Sequence, residues 1–325
     1  MPKVSVIVPV YGVEAYIERC ARSLFEQTLD DIEYLFIDDC TPDHSIEILK
    51  YVLEDYPQRK PQVSIHRMEQ NSGQAKVREW GIRNAVGEYV IHCDSDDWVE
   101  KEMYRAMYEK AINENADIVR CNFVRTNGVK EKLCYQVPSS SYRDKYKILS
   151  YMLMGLSQTS LCDKLVKKSI YDNNKIIYPH NNMQEDAVIT FQLVYYANKI
   201  EYLPTPYYKY CENPQSITRQ NSYESFSKRL NDVINNNEII LLFLKNNNLE
   251  EMFVEEIICR KYIVRSHINI LTNKTEFRRL WWSVYPEIDG HILTCKKMRT
   301  MDKVYYYSVK LHVYPLVYRL IKMIH

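Results

Sequence analysis

The sequence predicts an α/β protein: a doubly wound, mostly parallel sheet flanked by helices, with a helical C-terminal extension. Three observations carry that prediction. Short apolar runs alternate with helical patterns four times within the first hundred residues. Turn formers or carboxylates follow the first, second and fourth of these runs. The strand-and-carboxylate units stop near residue 220, so residues 1–220 are expected to form one domain and residues 221–325 a second, helical one.

Each element can be justified in order. Val4 to Val10 is a continuous apolar run ended by Pro9 and Tyr11, as expected for a strand buried on both faces. Glu14 to Gln27 carries Ala15, Ile17, Cys20, Ala21, Leu24 and Phe25 at helical spacing. Glu33 to Ile37 is a second strand, followed by Asp38 and Asp39. Ser45 to Tyr56 is a helix and Val63 to Ile65 a third strand. Gly73 to Ala85 is a helix leading into a fourth strand at Tyr89-Val90-Ile91. Glu100 to Glu114 reads as a helix, Ile118 to Val124 as a fifth strand, and Tyr142 to Gly155 and Met183 to Tyr196 as helices. Pro204 to Tyr210 is a short strand or hairpin, and Asn213 to Thr218 a loop. Helical patterns then run through Val233–Leu244, Met252–Leu271 and Phe277–Val284.

Composition excludes several classes. Lys and Arg number 43 against 42 Asp and Glu, a net charge of +1, which argues against general nucleic-acid binding. Nine cysteines form no Cys-x-x-Cys pair, so neither a zinc site nor a disulfide framework is expected, and a reducing cytoplasmic setting fits. Met1-Pro2-Lys3 runs directly into a strand, which does not read as a signal peptide. The longest apolar run, Ile239 to Leu244, is far short of the ~20 residues that span a bilayer. Seven glycines supply neither Gly-x-Gly-x-x-Gly nor Gly-x-x-x-x-Gly-Lys, so a bound phosphate has to be neutralised by a metal or by side chains.

The candidate active site follows the fourth strand. Asp94, Asp96 and Asp97 stand at the tip of an apolar run, where mutual repulsion and desolvation call for a positive partner, most simply a divalent cation. In open parallel sheets ligands bind beyond the carboxyl ends of the strands. Tyr11, the Asp38-Asp39 pair and the Asp94-Ser95-Asp96 run all fall there. Glu185 and Asp186 open another helix, a position that the helix dipole alone can explain.

Seven segments, in order, give the chain a family resemblance. They are Val4 to Tyr11, Phe36 to Asp43, Asn71-Ser72-Gly73 with Arg78 and Gly81, Asp94 to Trp98, Asp163-Lys164-Leu165, Glu185-Asp186, and Asn213 to Thr218. Over roughly residues 3–220 the chain resembles family 2 glycosyltransferases of the GT-A fold, of the bacterial surface-polysaccharide type. The resemblance implies that Pro9, Val10 and Tyr11 frame a nucleotide base that Asp39 hydrogen-bonds, with Arg78 near the base or phosphates. It further implies that Asp94, Ser95 and Asp96 lie at the donor, and that Asp94 and Asp96 hold a Mg or Mn ion on its diphosphate. Asp186 is the implied catalytic base and Glu185 its neighbour. Departures from the pattern are Cys40 in place of a glycine, Val77 and Glu79 around Arg78, and His92 in an apolar strand.

The implied function is metal-dependent, inverting transfer of a sugar from a nucleotide-diphosphate donor to a saccharide or lipid-linked glycan. A catalytically silent relative that binds a nucleotide sugar or a partner is the alternative, disfavoured by the joint presence of Asp39, Asp94, Asp96 and Asp186. The segment Cys295 to His325 holds seven Lys or Arg against one Asp, and Val309, Val313, Leu316 and Leu320 recur at near-helical spacing. Such a tail suits either a solvated face or peripheral contact with an anionic membrane at its inner, cytoplasmic side.

Overall fold

A computed structural model of the chain describes residues 1–135, 143–213, 223–272 and 274–324. Its axis is β1 (Val4–Val10), which pairs in parallel with β2 (Ile32–Asp38) on one side and β4 (Tyr89–His92) on the other. β3 (Val63–Arg67) extends β2, again in parallel. Beyond β4 the sheet is mixed. β8 (Lys164–Lys167) runs antiparallel to β4 and to β6 (Ile118–Thr126), and β9 (Ile200–Cys211) lies parallel to β6. The short strands β5 (Trp98–Val99) and β7 (Glu131–Cys134) pair with β9 and β6, giving the order β3-β2-β1-β4-β8-β6-β9-β5 with β7 on β6.

The alternation of β1 explains its sequence. Val4, Val6, Val8 and Val10 pack on one face with α1 (Ile17–Phe25), α2 (Ser45–Glu54) and α4 (Met103–Glu114). Ile7 points to the other face, among α3 (Gln74–Asn84), α5 (Lys145–Leu153), α6 (Lys168–Asn173) and α7 (Glu185–Tyr196). With both faces covered, no position of β1 can be polar without a partner; Ser5 meets this by donating to Glu33 and accepting the Gly87 N–H.

The structure refines several expected boundaries. The first helix starts at Ile17 rather than Glu14, and residues 98–99 form a strand where Glu100 was expected to open a helix directly. The expected short strand over Pro204–Tyr210 is the second half of a twelve-residue strand. Its register against β6 slips around Asn122, whose Nδ2 donates to the Pro204 carbonyl. Proline has no N–H for a ladder, so the strand is irregular where Pro204 and Pro206 fall and its period is hard to read. Tyr142 and residues 214–218, part of the expected helix and loop, lie outside the described residues.

After residue 223 come α8 (Tyr223–Asn246), α9 (Val254–Ser266), α10 (Thr275–Ser283), α11 (Thr300–Lys310) and α12 (Tyr314–Ile324). Ile240, Phe243 and Leu244 of α8 join the core beneath α7, while Trp281, Tyr262 and Tyr306 centre a third apolar cluster. Trp281 is fully buried and its indole N–H donates to Asn269. Of the expected C-terminal stripe, Val309 is buried in this cluster, whereas Val313, Leu316 and Leu320 are exposed.

Candidate active site

The carboxyl ends of β1, β2 and β4 meet at one edge of the sheet, and the antiparallel β8 brings its amino end to the same edge. Asp39, just after β2, is anchored by its own N–H on the Val10 carbonyl. Its carboxylate accepts the N–H groups of Ser72 (2.7 Å) and Gly73 (2.8 Å), the residues leading into α3. Burial raises its pKa, and the two amide donors oppose that rise. The neighbouring Asp38 is turned to Arg67 and the Thr41 N–H. Gly73 has φ +83°, and a Cβ there would collide with the Asn182 side chain, whose Oδ1 accepts the Ala75 N–H. Asp39 and Asn182 thus share the free amides at the start of α3.

Cys40 explains the departure from glycine in conformational terms. Its φ is +58°, the left-handed region in which glycine is easiest, and its thiol donates to the Met68 carbonyl at 3.0 Å. The turn is retained and the side chain is tied down. Tyr11 is exposed at the same edge, and Pro9 is half-buried. The Val10 and Ser95 side chains are buried at the same edge.

Arg78, only 3% exposed, links the two acidic groups that lie far apart in the sequence. Its Nη2 lies 2.7 Å from Asp94 Oδ1 and its Nε lies 3.7 Å from Glu185 Oε1. Gln74 also donates to Asp94 Oδ1, at 3.1 Å. Burial pushes the Glu185 carboxyl up to about 8, with Arg78 acting against the rise. Asp186, half-buried beside it, is also raised by burial, while Arg78 and Lys164 pull it back. Lys164 is itself buried, bonded to Asp163 and the Ser160 carbonyl. Asp186 accepts the Ala187 N–H within the first turn of α7.

Asp96 and Asp97 part company. Asp96 Oδ2 accepts from Asn213 at 3.1 Å, and burial together with the charge of Asp94 raises its pKa. Asp97 is fully engaged inside the protein, accepting the Tyr208 hydroxyl at 2.5 Å and the Cys211 N–H at 2.6 Å. The same hydroxyl accepts the Asp94 N–H, so Tyr208 fixes the Asp-rich turn to β9. Arg19 donates to the Asp96 carbonyl and stacks 3.7 Å over the Trp98 ring.

Among the described residues no group of three or more His, Cys, Asp and Glu converges as a metal cage. The donors on offer are the Asp94 and Asp96 carboxylates. Both hydrogen bonds to Asp94 fall on Oδ1, and Asp96 carries an unfavourable charge environment that a cation would relieve. Two carboxylates are hard oxygen donors of the kind Mg or Mn takes alongside phosphate oxygens and water.

Sequence reasoning brought together Asp39, Arg78, Asp94, Asp96, Glu185 and Asp186, and missed Gln74, Asn182 and Tyr208. Gln74 opens α3 and Asn182 lies in the turn before α7, places where amide residues are ordinary; nothing in a Tyr-Tyr pair marks Tyr208 as a clasp.

Residues 5–177 match the model of glycosyl transferase family 2, and the chain belongs to that family. Over 227 residues it is 31% identical to EpsJ of Bacillus subtilis, described as an uncharacterized glycosyltransferase; the match covers 67% of this chain and 63% of that relative's length. In fold it is similar to S. aureus TarS 1–349 solved in complex with UDP-GlcNAc, at 18% identity and a TM-score of 0.59, covering 95% of this chain and 92% of that one. It is also similar to the mannosyltransferase PcManGT from Pyrobaculum calidifontis, solved with GDP-Man and Mn2+, at 13% identity and a TM-score of 0.53, covering 96% and 87%. The fold is GT-A.

Proposed function

We propose that this chain transfers a sugar, with inversion, from a nucleotide-diphosphate donor to a hydroxyl of a saccharide or lipid-linked glycan in surface-polysaccharide synthesis. The observation that carries the reading is Arg78, whose guanidinium bonds the donor-side Asp94 and approaches Glu185, the neighbour of Asp186 on α7. A cation shared between a donor-side carboxylate and the start of α7 supports a reading in which leaving group and base act on one bound sugar, as a single displacement requires. The complexes of the fold neighbours with UDP-GlcNAc and with GDP-Man and Mn2+ support a nucleotide-sugar donor.

The contacts support one set of roles. The edge formed by Tyr11, Pro9 and Asp39 receives the nucleotide, with Asp39 holding the start of α3 in place. Asp94 and Asp96 would hold a Mg or Mn ion, which when bound supplies positive charge to the diphosphate. Asp186 accepts the proton of the acceptor hydroxyl as its oxygen bonds to the anomeric carbon. The glycosidic electron pair departs with the nucleotide diphosphate, and attack from the opposite face inverts the carbon. Residues 1–220 form the catalytic unit in this reading and residues 221–325 its extension.

A panel of UDP-, GDP- and dTDP-sugars, with Mn or Mg and with chelator, tests the proposal by binding and by hydrolysis. One donor is expected to bind in a metal-dependent way. Asp96→Ala should lose that binding, and Asp186→Asn should keep it while turnover falls about a hundredfold or more. A panel in which nothing binds, with or without metal, overturns the reading.

A further inference from the structure

The helices after residue 223 reach the acid pair. Arg260 of α9 is buried; its Nη2 donates to Gln184 Oε1 at 2.9 Å and its Nε to Asn237 Oδ1 at 2.8 Å. Asn237 Nδ2 donates to the Tyr285 hydroxyl at 2.8 Å, and that hydroxyl donates to Glu238 at 2.6 Å. One residue earlier on α8, Asn236 donates to the carbonyls of Asn181 (3.0 Å) and Met183 (2.7 Å). Residues 181–184, the segment that delivers Glu185 and Asp186, are therefore gripped by side chains of α8 and α9.

The grip has a reason. Gln184 precedes the helix with φ +61°, a left-handed conformation that a non-glycine side chain adopts only when its surroundings impose it. Its carbonyl accepts the N–H groups of Ala187 and Val188, the first helical bonds of α7. Burial lowers the Arg260 guanidinium to about 10, with Tyr285 and Asp186 acting in the opposite sense. Among the described residues Arg260 has no ion pair at close range; Tyr285 and, after it, Asp186 favour its charge through space. The other charged groups felt at Asp186 are Arg78 from α3, Lys164 from β8 and Asp94 beyond β4, with Glu185 beside it on α7.

We propose that Arg260, oriented by Asn237, is a positioning residue for Asp186: through Gln184 it sets the first turn of α7, so that the C-terminal helices complete the catalytic centre. This inference rests on the reading of Asp186 as the base.

Wild type, Arg260→Met, Arg260→Lys, Asp186→Asn and the Arg260→Met/Asp186→Asn double variant would be compared with the same panel of nucleotide sugars. Expected for Arg260→Met are donor affinity within about twofold of wild type and a kcat lower by about 30-fold. Arg260→Lys should recover part of that loss, and the double variant should be no slower than Asp186→Asn alone. A near wild-type kcat in Arg260→Met, or a full additive loss in the double variant, overturns the inference. Undiminished turnover in Asp186→Asn would instead sink the base assignment itself. Amide exchange at Ala187 and Val188 gives a readout free of any donor: it should quicken in Arg260→Met, and unchanged protection also overturns the inference. Should Arg260→Met fail to fold, Asn237→Ala, which frees the guanidinium while leaving it in place, is held to the same outcomes.

Discussion

Glu185 and Asp186 sit where ionisation is costly, and that has a measurable pH signature. The Glu185 carboxyl titrates near 8 in the folded chain against an ordinary 4.5, so between those values the folded state holds a proton that the unfolded state has released. Its contribution to stability is fully present below about 4.5 and is lost as pH rises through about 8. Thermal melts from pH 5 to 9 should show a decline in wild type that is shallower in Glu185→Gln; parallel curves would refute the assignment. At this scale the sequence was partly legible. Carboxylates after strands announce themselves, and so does a cysteine where glycine is usual, but the φ of +58° that makes glycine usual there becomes visible only in the structure. Arg78 was legible as a site residue, whereas its span from Asp94 to Glu185 was not, because 107 positions separate Arg78 from Glu185 and no local pattern encodes that approach.

At the scale of elements, α3 lies so close to the sheet that Gly81 has no room for a side chain. A Cβ there would come within 2.5 Å of Ile7 Cγ2 and 2.9 Å of Ile37 Cδ1. Gly81→Ala gains about 1 kcal/mol of helix propensity but overpacks the β1–β2 face at a cost of roughly 1–3 kcal/mol, and Gly81→Val adds β-branching to a larger clash. Denaturant midpoints should therefore fall from wild type through Gly81→Ala to Gly81→Val; an unchanged midpoint for Gly81→Val would show that α3 can lift off the sheet freely. β1, β2 and β4 were readable because each is a short apolar run buried on both faces. β8, four residues long, was not, and β9 was read only in its second half because its register breaks beside Pro204 and Pro206.

At the scale of the whole molecule, three apolar clusters run through the described residues, and the third reaches into the terminal helices through Tyr306, Val309 and Tyr314. Beyond it, Leu316, Leu320 and Met323 of α12 are exposed alongside Lys310 and Arg319. Among the described residues no helix is long and apolar enough to cross a membrane. Contact with an anionic lipid surface remains the proposal that this face supports, through apolar insertion aided by basic side chains. The full chain is expected to sediment with vesicles containing phosphatidylglycerol and not with pure phosphatidylcholine, and Leu316→Glu/Leu320→Glu should abolish the difference. Equal partition into the supernatant with both lipids would leave this face as solvated surface.

The clasp at Tyr208 bears on how such a site can change. Its hydroxyl is spoken for by Asp97 and by the Asp94 amide, and Asn213, two residues past the end of β9, holds Asp96. The acidic turn is thus built into the sheet, so retuning it means rebuilding a strand. Tyr11, by contrast, projects into solvent. A mutational library seeking a new donor sugar would find most of its viable members at that open rim, and almost none between residues 93 and 97.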